Sequence, residues 1–123
     1  MGIDCYLIWD DQTEEEQKSQ YTSFSIQHGH VGYLREAYHG GPYAIKVLAP
    51  EAWKEEEATI PVDILRARLP EAIQACKERH FKNYGEDENA EAVQWAVRSL
   101  EEFVQLAEAK DREGKKPRIH VSA

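Results

Sequence analysis

The residues best suited to chemistry cluster between His28 and Lys46, in the stretch HGHVGYLREAYHGGPYAIK. It holds three of the five histidines and four of the seven glycines. From Ser23 to Pro50 only Arg35, Glu36 and Lys46 are charged, so the segment is locally basic within an acidic half of the chain. Glycines let backbone N–H groups approach a ligand, and connecting segments on a rigid sheet are common places for binding. If Pro42 begins a helix, the free N–H groups of Tyr43 and Ala44 would face an anion, with Arg35, His39 and Lys46 as side-chain donors for phosphate or carboxylate. The expected ligand site is therefore His28, His30, Arg35, Tyr38, His39, Gly40, Gly41 and Lys46, with Tyr33 and Tyr43 as walls. The plainer alternative makes Gly40-Gly41-Pro42 a tight turn and leaves Arg35 paired with an acid.

A metal site is the competing chemistry. His28 and His30 are two residues apart and would share one side of a strand, with His39 as a third ligand, or else His80 or His120. Gly29 between them favours a turn, in which the two rings need not converge, so unrelated histidines are the preferred reading and no metal is assigned. Cys76 and His80 lie one helical turn apart, a spacing that suits a metal pair or a thiolate held by an imidazolium. Both also fall on an apolar helix face, where a free cysteine packs as a small hydrophobe.

Other catalytic signatures are missing. No serine sits in a G-x-S-x-G turn, and G-x-x-x-x-G-K-[ST], G-x-G-x-x-G and H-E-x-x-H are all absent from the sequence. The glutamate runs read as solvated surface. No cofactor is implied.

Fifteen Lys and Arg against 23 Asp and Glu give a net charge of -8, which opposes binding to a polyanion. Residues 1 to 60 hold 11 acids and 4 bases, whereas 61 to 123 are nearly balanced at 12 and 11. The imbalance comes from Asp10–Glu16 and Glu55–Glu57. Nucleic acid is excluded as a partner, and MGIDCYLIWDD is too short and too acidic to span a bilayer or act as a leader. A cytoplasmic protein with two reduced cysteines, Cys5 and Cys76, is expected.

Several elements must position these groups. Ile3–Trp9 alternates as a strand with one buried face, and Thr13 with Glu16 has the form of a capping box that opens a short helix over Glu14–Ser19. Tyr21–Gln27 and Val31–Tyr38 alternate as two more strands, joined by a turn at His28-Gly29-His30 into a hairpin. Residues 42–49 lean to helix, with Pro42 at the first helical position and Pro50 ending or kinking the element. Pro61 opens a helix to Leu69, and Pro70 starts a second at a new angle, with Leu69, Ile73, Cys76, His80 and Tyr84 on one face.

The last helix is expected from Glu88 to Arg112, capped by Asp87 and stopped by Gly114. Its apolar arc includes Val93, Ala96, Leu100, Val104 and Ala107, and Trp95, Phe103 and Leu106 widen it beyond what a surface helix needs. Such a helix must be covered on two sides. The sheet covers one side and either another helix of the chain or a partner the other; in the second case Trp95 and Leu106 mark an interface with a second copy or another protein. Arg118–Ser122 closes the sheet.

Together these readings predict one α+β domain: a mostly antiparallel sheet of three N-terminal strands and a C-terminal strand, with two or three helices on one face. The function expected is a binding or interaction module for a protein or a small anion, sited around residues 28–46. A small enzyme or metal protein using clustered histidines is the alternative.

Overall fold

The computed structural model describes residues 2–22 and 30–122. Alternation in the first strand places Ile3, Cys5 and Leu7 on a fully buried face, and β1 runs from Gly2 to Ile8. The capping box forms as expected, with Thr13 N–H donating to Glu16 Oε1 and Glu16 N–H donating to Thr13 Oγ1. The helix it starts, α1, continues through Glu14–Thr22. Tyr21 and Thr22 therefore end a helix and do not begin a strand, and the rest of the expected second strand lies outside the described residues. Gln20 near the end of α1 is buried, and its amide donates to the carbonyls of Leu7 at 2.8 Å and Val31 at 2.9 Å. Buried carbonyls need such partners, which explains how a polar side chain ties α1 to the end of the sheet.

Strand β2 is Tyr33–Ala37, shorter than its alternating pattern, and it pairs antiparallel with β1. Two short helices follow, α2 (Ala44–Leu48) and α3 (Pro50–Glu55), then a two-residue strand β3 (Glu57–Ala58). The helical choice for residues 42–49 holds, but Pro42 is not the first helical residue: the Gly41–Pro42 peptide is cis and Tyr43 occupies the N-cap. Pro50 does separate the two helices, standing at the start of α3.

Pro70 does not break the next helix. α4 runs without interruption from Val62 to Tyr84 with Pro70 inside it. A proline there removes one backbone hydrogen bond. Leu65, Leu69, Ala72 and Cys76 carry one buried stripe across that point, so packing on either side keeps the two halves in line. Gly85, in the left-handed region at φ 67°, ends α4.

Helix α5 spans Glu91–Arg112, starting later than expected. Asp87 is not its cap, because its carboxylate accepts from the Asn89 N–H within the preceding turn and Ala90 takes the cap position. Strand β4 (Arg118–Ser122) closes the sheet, in the order β2-β1-β4-β3, all antiparallel. The fold is thus a single α+β domain, with four strands and five helices among the described residues. Ile3, Cys5, Leu7, Leu34, Ile119 and Val121 turn to the helices, and α4 and α5 pack on each other above them. α5 is covered on two sides within the chain. Among the described residues no helix is long and apolar enough to cross a membrane.

Candidate functional site

Strand alternation decides which residues of the GYLREAY segment meet the helices. Leu34 and Glu36 point to the helical side, whereas Arg35 faces away, and its guanidinium pairs with Asp4 at 2.8 Å. Arg35 is therefore engaged on the opposite face of the sheet, and the plainer reading of this residue is the one the structure supports. Glu36 does what an external anion was expected to do. Its two carboxylate oxygens accept from the backbone N–H groups of Ala44 at 3.0 Å and Ile45 at 2.7 Å, the start of α2. The anticipated anion slot is filled by the chain itself.

The remaining expected site residues scatter. His28 lies outside the described residues. His30 meets α5, where Nε2 lies 3.1 Å from Ser99 Oγ, while Nδ1 accepts the Gly32 N–H. His39 turns to α4, with Nδ1 2.7 Å from Tyr84 Oη. Gly40 presents its carbonyl to Asn83 Nδ2, and a Cβ there would lie 3.0 Å from Asn83 Oδ1, in a backbone at φ 119° that already favours glycine. Gly41 precedes the cis proline, Tyr38 packs edge-on to Tyr43, and Lys46 lies over the Trp53 ring. His120 stacks on Tyr6. Among the described residues no group of histidines, cysteines and carboxylates could hold a metal ion. Cys5 and Cys76 are buried free thiols, and burial pushes Cys76 up to about 11, which removes the thiolate that a reactive pair with His80 would need.

What the fold does build is a cleft of about 380 Å³ between β2, α4 and α5. Leu34, Glu36 and Ala37 form its strand wall, Cys76, Arg79, His80 and Tyr84 come from α4, and Trp95, Ala96 and Ser99 come from α5. Alanines at 92 and 96 leave the space that larger side chains would fill. Arg79 is the unusual member. Only 4% of it is exposed, yet it forms no ion pair among the described residues. Nη2 donates to the Ala37 carbonyl at 2.6 Å, and Nε is buried with no hydrogen-bond partner. The guanidinium carbon lies 5.7 Å from the ring centroids of both Tyr43 and Tyr84. Aromatic faces attract a cation but do not replace an anion.

Two further groups share this space. Burial raises the pKa of Glu36, and the N–H groups of Ile45 and Ala44 together with the positive charge of Arg79 oppose that rise without cancelling it. His80 places Nδ1 2.8 Å from Glu86 Oε1. Neither Arg79 nor Glu86 was among the residues the sequence singled out. A signal existed for Arg79, since it continues the spacing Ala72, Ala75, Cys76, Arg79 and so places a charge on a buried stripe.

His30 yields a prediction about pH. Burial lowers its pKa from 6.5 to about 4, and the Gly32 N–H aimed at Nδ1 leaves no room for a second proton. The fold favours the neutral ring, so this stability is fully present above the unfolded value of 6.5 and is lost as pH falls toward 4. Urea unfolding should show about 2 kcal/mol lost between about pH 7 and pH 5 through this group. A His30→Asn variant should lose correspondingly less over the same interval. Equal slopes for the two proteins would show that His30 is not the group responsible.

Searches against protein-family models, curated proteins and solved structures find no match to this chain, so the cleft and its chemistry are the ground on which function is argued.

Proposed function

We propose that the protein binds a small organic anion in the cleft between β2, α4 and α5, with Arg79 as the anchor. The observation that supports this reading is a buried guanidinium with no carboxylate in contact and an unpartnered Nε. A buried charge left unpaired costs several kcal/mol, of order 3–5, and a bound carboxylate or phosphate would offset that cost. The aromatic rings of Tyr84 and Trp95 on the walls suit a ligand with an apolar or aromatic body, as small-molecule sites commonly combine one fixed charge with apolar walls. The site is not the one expected at residues 28–46, although it shares β2 with that segment and the Tyr43 ring lies against Arg79.

Phenylacetate and benzylamine test the reading, since they have the same ring and opposite charge. Titrating each into isotope-labelled protein should move the amide signals of Ala37, Cys76 and Ser99 with phenylacetate and leave them in place with benzylamine. Equal responses to both compounds, or none to either at millimolar concentration, would end the proposal.

A further inference from the structure

His80 adds a second polar group to the cleft, and its chemistry is defined by its neighbour. A carboxylate only accepts hydrogen bonds, so at the 2.8 Å contact with Glu86 the imidazole Nδ1 must carry the proton. In the neutral ring Nε2 is then a bare acceptor, and it makes no hydrogen bond with the chain among the described residues. Glu86 is in turn placed by the turn that ends α4, where its N–H donates to the His80 carbonyl at 3.2 Å. The carboxylate that orients the ring is thus fixed to the same helix end. Arg79 and His80 are consecutive and both line the cleft, one offering donors and the other an acceptor.

We infer that the ligand of this cleft is a hydroxy acid or similarly protic anion, whose anionic group meets Arg79 and whose neighbouring hydroxyl donates to His80 Nε2. The inference rests on the proposed anion site and specifies its ligand class. His80 is then the specificity-determining residue and Glu86 a positioning residue. The other side-chain hydroxyls near the cleft are less suited to receive the ligand hydroxyl, because Tyr84 Oη is engaged with His39 and Ser99 Oγ with His30. A site built to receive a hydroxyl discriminates against the analogue that lacks it, because its own polar atom is otherwise left without a partner.

Mandelate and phenylacetate differ by that one hydroxyl, and comparing their affinities tests the inference. Mandelate should bind about five- to ten-fold more tightly than phenylacetate, as expected for one additional hydrogen bond. In His80→Phe the mandelate-to-phenylacetate ratio should fall to about one whatever the affinity for phenylacetate itself, and His80→Gln, which retains an acceptor, should restore part of the ratio. In the unmodified protein the ¹⁵N signal of His80 Nε2 should move upfield with mandelate and stay in place with phenylacetate, a readout that needs no variant to fold. Glu86→Gln should shrink that response by releasing the ring tautomer. Equal affinity for the two acids with an unmoved Nε2 signal would overturn the hydroxy-acid assignment and leave the anion site standing. Failure of both acids to bind would overturn the two readings together.

Discussion

Replacing Arg79 with methionine is expected to abolish phenylacetate binding while leaving the folded state as stable as before, or more stable. The two halves of this result have one cause. Arg79 is almost wholly buried, it lacks an ion-pair partner among the described residues, and one of its nitrogens has no hydrogen bond. Among the described residues its guanidinium has one bond to the Ala37 carbonyl and lies against the rings of Tyr43 and Tyr84. A neutral hydrogen bond contributes about 1 kcal/mol, whereas removing an uncompensated buried charge returns several, and methionine fills a similar volume. Stability should therefore change by less than about 1 kcal/mol or rise. Binding should weaken by at least ten-fold, because the charge-assisted contact to the ligand is lost. Urea unfolding and the amide titration on the same sample would decide it. A loss of about 3 kcal/mol or more on unfolding would mark Arg79 as a structural ion whose charge Glu36 compensates across the cleft.

Truncating Phe103 to alanine is expected to cost about 3–5 kcal/mol, the largest destabilisation of any substitution considered for this chain. Phe103 is fully buried on α5, joins the main core cluster, and meets the His30 ring edge to face with centroids 5.9 Å apart. Its removal leaves a cavity between a helix and the sheet that neighbouring side chains cannot refill without moving. Trp95 belongs to the same helix but is 44% exposed at the cleft. Trp95→Ala should cost about 1 kcal/mol or less in stability and still weaken phenylacetate binding. If the two truncations cost the same, the division of α5 into a core face and a cleft face is wrong.

That division separates what was legible along the chain from what was not. Trp95, Phe103 and Leu106 look alike as members of a wide apolar arc. In the folded chain Phe103 is buried, Leu106 packs against the core, and Trp95 opens onto the cleft. Periodicity reports the face of a helix and not what covers it. The same limit applies to Pro70, whose local rule predicts a break that the buried stripe from Leu65 to Cys76 overrides. For Tyr21 and Thr22, an alternating pattern lost to a helix already started by the capping box at Thr13 and Glu16.

The sequence by itself determined the α+β class, the first and last strands, the capped start of α1 and the extent of α5 to within a turn. Each of these follows from neighbours a few residues apart, which the chain carries in plain order. Only the tertiary structure decided the site. It turned Arg35 away, let Glu36 cap α2, joined His30 to Ser99 across 69 residues, and set Arg79 against Ala37 across 42. Those pairings depend on which strand lies beside β1 and which helix covers it, and the energies that choose between such arrangements are sums over the whole core and not properties of any local segment.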